Sequence, residues 1–309
     1  MNSESNELPV ADNNFKSGFI GIIGRPNVGK STLMNQLVGQ KIAITSPVAQ
    51  TTRNRLQGIL TTSEAQLIFV DTPGIHKPHH ELGKVLVKNA QTAIRSVDVI
   101  LFVVDSSTKA GNGDRFIVEL LKKESIPVIL GLNKNDLQSE NSESIDLSYR
   151  QLITNLNWSI VKFSAVTGNG TESLQNLLIN NLPHGPYYYP PDLVTDRPER
   201  FIMGELIREQ ILLQTRQEIP HSVAITIEKV EETAKITKIL AAINIERDSQ
   251  KGILIGKKGS MLKAIGSAAR QQIQKLIAGD VYLELFVKVE PNWRQSRLHL
   301  SEFGYRVEE

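Results

Sequence analysis

No cysteine occurs in the 309 residues. Disulfides and thiolate metal sites are therefore excluded, and a reducing compartment fits. No apolar run approaches the roughly 18 residues needed to span a bilayer. Excess charge is also missing: the net value is only +2, so a nucleic-acid partner would have to be met by a local basic patch. The first 16 residues, "MNSESNELPVADNNFK", are polar and lack the apolar core of a secretory signal, and are expected to form a loose tail. What remains is ordinary for a globular chain, with 40% hydrophobic and 22% charged residues. The length exceeds most single cores, so two domains are expected.

From Phe19 to about Pro183, strand-length apolar runs ("FIGIIG", "QLIFVD", "VDVILFVVD", "IPVILGLN", "WSIVKFS") alternate with amphipathic stretches. That alternation predicts an α/β fold, a doubly wound and mostly parallel sheet. "LQGILTTSEAQLIFV" has only a short polar link between two runs and predicts one antiparallel hairpin at an edge. The stretch 183–199, "PHGPYYYPPDLVTDRPE", holds five prolines in seventeen residues and can sustain neither helix nor central strand. A boundary is expected there: a domain over 17–183, a linker over 184–199 and a second domain over 200–309. The linker's three tyrosines are expected to pack onto a domain. Beyond it the pattern reads α-β-β-α-α-β, beginning with a helix over about 200–218.

"GRPNVGKS", residues 24–31, fits GxxxxGK followed by Ser or Thr, with a strand before it and a helix after it. Gly24, Arg25, Pro26, Asn27, Val28 and Gly29 form the loop, the two glycines letting the backbone wrap so that its available N–H groups point at phosphate oxygens, helped by the following helix N-terminus. Lys30 would reach the β- and γ-phosphates, Ser31 would ligate magnesium, and Thr32 continues into the helix. "DTPG" follows, with Asp71 placed to hold magnesium through water, Thr72 and Pro73 leading on, and the Gly74 N–H sensing the γ-phosphate. In "NKND", Asn133, Lys134, Asn135 and Asp136, the final carboxylate can accept from both guanine N1–H and N2–H₂, which selects GTP over ATP. Ser164 and Ala165 end the next strand, where a backbone N–H can meet guanine O6. Four motifs in order at strand C-terminal ends define a GTPase domain. Between the first two, "SPVAQTTRNR" could close over the γ-phosphate, with Thr52, or failing that Thr51, adding a hydroxyl to magnesium. Lys30, Thr52 and Gly74 are the catalytic candidates.

A second glycine–lysine stretch, "IGKKG", lies between two helical segments. GxxG alone is almost worthless as a signal, but this context in an α-β-β-α-α-β unit is the order of a type II KH domain, which clamps single-stranded nucleic-acid backbone. Ile255, Gly256, Lys257, Lys258 and Gly259 would form the clamp, with Lys263 and Arg270 on one face of the following helix and Ile253 beside Ile255 in an apolar groove. Arg247 to Lys275 hold seven basic residues against one acidic, Asp248, which favours an anionic partner. The tail adds Trp293, Arg294, Arg297 and Arg306, as an extended RNA surface or as a capped domain end.

"GRPNVGKSTLMNQLVGQKIAITSPVAQTTRNR", with "DTPGIHKP" and "NKND", resembles the Era-like GTPases, and the resemblance runs from about Phe19 to the C-terminus. It implies GTP and GDP with Mg²⁺ as ligands, slow intrinsic hydrolysis to GDP and phosphate, and a KH domain bound to the 3′ end of 16S rRNA during assembly and maturation of the 30S ribosomal subunit. Ile75 stands where Ras-like enzymes place a water-orienting glutamine, a departure Era-like proteins share. Asn27 matches an asparagine that helps hold a potassium ion in related GTPases. A cytoplasmic location is implied, with peripheral association at the inner face of the cell membrane left open, and no metabolic small-molecule substrate. Two rival readings stand beside this one: an assembly GTPase for another RNA target, such as the large subunit, and an RNA-binding adaptor whose nucleotide is structural.

Overall fold

The structure is a computed structural model that describes residues 8–47, 56–71, 94–138, 142–216 and 219–303. The chain divides into two compact units, one of Met1–Ala43 with Ala49–Asp196 and one of Ile44–Val48 with Arg197–Glu309.

The first unit is built on β1 (Lys16–Ile23), β2 (Leu56–Thr61), β3 (Ala65–Asp71), β4 (Val99–Asp105), β5 (Val128–Asn133) and β6 (Ser159–Lys162). Their order in the sheet is β2-β3-β1-β4-β5-β6. Only β2 is antiparallel, paired with β3 from Leu56 opposite Asp71 to Thr61 opposite Gln66. The other pairs are parallel. Strands β3 and β5 are buried at every position, which is why they read as continuous apolar runs rather than alternating ones. Helices α1 (Lys30–Val38), α2 (Asn112–Leu121), α3 (Ser142–Leu152) and α4 (Thr171–Asn181) cover the sheet. Ile100, Phe102 and Val104 of β4 meet Ile117, Val118 and Leu121 of α2, with Ile145 and Tyr149 of α3, in one core. Leu33, Met34 and Leu37 of α1 and Leu174 and Leu178 of α4 are also buried but fall outside that core, as a doubly wound sheet requires. Each of these aliphatic side chains stabilises the fold by roughly 1.5–3 kcal/mol.

The proline-rich stretch packs against this unit. Tyr187 lies on Phe15 with ring centroids 4.3 Å apart, and Tyr188 on Phe19 at 5.3 Å. Gln66, fully buried in β3, accepts from the N–H groups of Tyr188 (2.8 Å) and Tyr189 (3.0 Å) and donates to the Tyr189 carbonyl (2.8 Å). The Ile59 N–H donates to the Val194 carbonyl at 2.9 Å, and the Thr195 hydroxyl to the Gln57 carbonyl at 2.8 Å. The outer edge of β2 is thereby paired rather than left as a template for other strands.

The second unit holds α5 (Glu199–Gln214), α6 (Ile219–Ser222), β7 (Ala224–Glu232), β8 (Ile236–Ile245), α7 (Asp248–Ile255), α8 (Ser260–Ile273), β9 (Asp280–Val289) and α9 (Arg297–Glu302). Helix α5 stops four residues short of the sequence expectation, because Thr215 is extended (φ −117°, ψ 163°) and its hydroxyl donates back to the Ile211 carbonyl at 2.6 Å. The sheet order is β7-β8-β9, with β7 and β8 antiparallel and β8 and β9 parallel. A parallel neighbour needs a crossover, and α7 with α8 supplies it. Ile265, Ala269 and Ile273 of α8 are buried. Trp293 is a core residue, 2% exposed, donating to the Ser222 carbonyl at 3.1 Å and meeting Phe303 edge-on. Arg294 is paired with Glu246. Trp293 therefore caps the domain end and offers no RNA surface.

Candidate functional site

The phosphate-loop sequence begins where β1 ends, and α1 starts at its Lys30. Strand β1 has β3 on one side and β4 on the other, so the loop leaves the sheet where connections diverge, the usual ligand crevice of open α/β folds. Asn27 (φ 64°) and Gly29 (φ 99°) are left-handed. A Cβ on Gly29 would lie 2.4 Å from Asn133 Nδ2, so only glycine admits the Asn133 side chain here. That side chain joins three motifs: Nδ2 donates to the Val28 carbonyl at 2.7 Å, and Oδ1 accepts from the Ala165 N–H at 2.9 Å.

Lys30 Nζ donates to the carbonyls of Gly24 (3.2 Å) and Arg25 (3.0 Å), leaving one of its three donors for a further acceptor. Burial pushes this ammonium down to about 8, against the opposing pull of Asp71. Ser31 Oγ donates to Asp71 Oδ2 at 3.0 Å, which places two hard oxygen ligands side by side. Such a pair fits magnesium, which takes one or two protein oxygens and completes its shell from phosphates and water. Thr32 and Ala165 line a cavity of about 490 Å³ with Asn35, Gln36 and Lys41, within the range of small-ligand pockets.

Lys134 is left-handed (φ 67°), and its Nζ lies 2.5 Å from Asp105 Oδ2. Burial alone would raise the Asp105 carboxyl, but hydrogen bonds from Lys134 and Ser107 outweigh it and hold the group below its ordinary range. Asn135 and Asp136 form a single turn, 135–137, with Asp136 exposed. Ser164 is buried and accepts from the N–H groups of Val166 (3.3 Å) and Thr167 (3.1 Å), shaping the loop that presents Ala165. Pro26 sits within the phosphate loop, whereas the side chain of Arg25 turns away to Asp114. Thr51, Thr52, Thr72, Pro73, Gly74 and Ile75 lie outside the described residues, as does Arg306.

In the second unit the two loop glycines serve different ends. Gly256 has φ 70° and ψ 177°, a region essentially confined to glycine, and a Cβ there would lie 2.8 Å from Met261 Cβ. Gly259 is also left-handed (φ 80°), yet nothing lies within 4 Å of where its Cβ would be. The first glycine makes the turn, and the second leaves an open face. Lys257, Lys258, Lys263 and Arg270 are exposed, Ile255 is half-buried, and Ile253 is 53% exposed. Basic side chains and an apolar residue thus share an open loop-and-helix surface.

These features define a P-loop GTP-binding protein with an appended KH domain. The family model described as "50S ribosome-binding GTPase" matches residues 19–134, and the KH domain model matches 218–294. GTPase Era of Crocosphaera subtropica is 74% identical over 98% of this chain and 96% of its own length. GTPase Era of Synechocystis is 69% identical over the same shares. A crystal structure of Era in complex with MgGDPNP and nucleotides 1506–1542 of 16S ribosomal RNA superposes with a TM-score of 0.87 at 37% identity, covering 95% of this chain and all of that one. The chain belongs to the Era family of GTPases.

Proposed function

We propose that this chain hydrolyses GTP to GDP and phosphate as a conformational timer for binding the 3′ end of 16S rRNA in 30S subunit assembly. The observation that carries the reading is the likeness, over 95% of the chain, to an Era that was crystallised with both MgGDPNP and a 16S rRNA fragment. The match to the model described as a 50S-binding GTPase ends at residue 134. It includes no KH residue, so it does not favour the large subunit. The proposed division is a GTPase domain over 17–183, a linker over 184–199 and a KH domain over 200–309.

Within the GTPase domain, the N–H groups of residues 27–32 and the Lys30 ammonium would bind the phosphates, with Gly24, Arg25 and Pro26 shaping the loop. Asp136 would read guanine, whereas the Ala165 N–H, expected to meet guanine O6, donates instead to Asn133 Oδ1 and so shapes the base loop. Magnesium, when bound by Ser31, Asp71 and Thr52, neutralises phosphate charge. Water attacks the γ-phosphorus, the bond to the β–γ bridging oxygen breaks, GDP leaves with that electron pair, and the water's proton ends on the phosphate product. Thr52 and the Gly74 N–H would face the γ-phosphate, and Asn27, with its amide oxygen, is the proposed contact for potassium. Lys257 and Lys258 would meet RNA phosphates, with Lys263 and Arg270 beside them.

The proposed location is the cytoplasm. No described helix is long and apolar enough to cross a membrane, and peripheral association is tested by flotation with anionic vesicles. The functional reading is tested by GTP turnover together with binding of a single-stranded oligomer from the 16S 3′ end. Both activities are expected in one preparation, and absence of turnover would favour the adaptor reading.

A further inference from the structure

An arginine directly after the first glycine of a phosphate loop invites the role of a finger held in cis, neutralising charge on the transferring phosphoryl group. The side chain is committed elsewhere. Arg25 Nε donates to Asp114 Oδ1 at 2.7 Å, and the Asp114 side chain is fully buried. The other oxygen of Asp114 accepts from the Gly111 N–H at 2.8 Å, so one carboxylate ties α2's first turn to the phosphate loop. The Arg25 stem crosses that turn so closely that a Cβ on Gly113 would fall 2.6 Å from Arg25 Cδ. The Tyr149 hydroxyl lies near the guanidinium and donates to the Asp105 carbonyl at 2.9 Å. Asp105 in turn holds Lys134 of the base-reading motif.

We propose that Arg25 is a positioning residue for GTP binding, clasped by Asp114 so that its carbonyl holds the Lys30 ammonium toward the phosphates. The phosphate loop is then fixed at two points, Val28 from the front by Asn133 and Arg25 from behind. At the second point the side chain is committed to Asp114 rather than offered to a ligand. This anchoring lets the cradle stand preformed, because Lys30 finds two carbonyls in place and presents its third donor outward. Such a clasp serves GDP and GTP alike and makes no demand on the transition state, so its loss should appear in affinity rather than in saturated turnover.

The test is a double-mutant cycle in the full chain with Arg25→Gln, Asp114→Asn and the pair, plus Arg25→Lys. GDP and GTP dissociation constants, kcat and the nucleotide-free melting temperature are read for each. Each single variant should weaken both nucleotides by at least about tenfold, as loss of a charged hydrogen bond implies. The double variant should be no weaker than the worse single, kcat should stay within about twofold, and Arg25→Lys should recover part of the affinity. Asp114→Asn keeps the shape of the buried side chain and so guards against simple misfolding. A tenfold fall in kcat with unchanged affinity in Arg25→Gln alone would make Arg25 a finger and overturn the proposal. Additive losses in the cycle, or lowered melting temperatures with wild-type dissociation constants, would overturn it as well.

Discussion

The Asn133 side chain donates to the Val28 carbonyl at 2.7 Å, so the base-reading motif fixes the phosphate loop directly. Asn133 is 1% exposed, and its other side-chain atom is spent on the Ala165 N–H. Removing it would leave a buried carbonyl and a buried N–H unpaired, at about 1–3 kcal/mol each. Asn133→Ala should therefore lower GTP and GDP affinity by at least about tenfold and reduce the melting temperature of the nucleotide-free chain. Calorimetric titration and thermal melts check both. Wild-type affinity in this variant would show that the loops hold their geometry without it.

Lys30 gives a pH signature. Its folded value near 8 lies below its ordinary 10.5, so the unfolded chain holds more protons between those values. Below about 8 both states are protonated and the burial cost is fully present; the Lys30 contribution to stability then rises with pH through the window. Phosphate oxygens restore the proton, so nucleotide binding should take up protons and weaken as pH climbs above about 8, by up to about tenfold per unit. Titrations in buffers of different ionisation enthalpy measure the uptake directly. Lys30→Ala should abolish nucleotide binding and the uptake together, and retained micromolar GTP binding would contradict the cradle.

Guanine selectivity should rest on Asp136. Asp136→Asn is expected to weaken GTP and favour xanthosine triphosphate, whose added oxygen accepts from the new amide. Competition assays decide this, and ATP competing equally with GTP in the wild type would remove the basis for the assignment.

The two loop glycines of the KH unit separate folding from binding. Gly256→Ala meets Met261 at about 2.8 Å and should destabilise the unit. Gly259→Asp enters open space but carries charge and a strained φ, and should cut RNA affinity by at least about tenfold, or roughly 1.4 kcal/mol. Wild-type binding should weaken as salt rises, because phosphates are contacted. Unchanged RNA binding by Gly259→Asp would move the contact surface elsewhere.

Potassium should accelerate hydrolysis over sodium if Asn27 helps hold that ion. Equal turnover in the two salts would remove the potassium contact while leaving GTP hydrolysis intact.

The strand–loop–helix setting of "GRPNVGKS" was legible because glycine spacing and flanking periodicity are local properties. Asp71 and Asn133 could likewise be placed at strand ends, since the apolar runs LIFV of β3 and VILGL of β5 lead directly into them. The clasp on Arg25 was not legible. Its partner lies 89 residues away, and a glycine before an aspartate at a helix start looks like simple capping. Gln66, a polar residue in an otherwise apolar strand, was a signal that could have pointed to the linker, because a buried carboxamide must find partners. Trp293 read equally well as RNA surface or domain cap, and only the Ser222 carbonyl, 71 residues away, decides it. Long-range hydrogen bonds leave no periodic trace in a sequence.

Sequencing the RNA crosslinked to this protein in cells tests the central claim most directly. The account predicts reads concentrated at the 3′ end of 16S rRNA and depleted in the Gly259→Asp variant. Enrichment on large-subunit rRNA, or no rRNA enrichment at all, would contradict it.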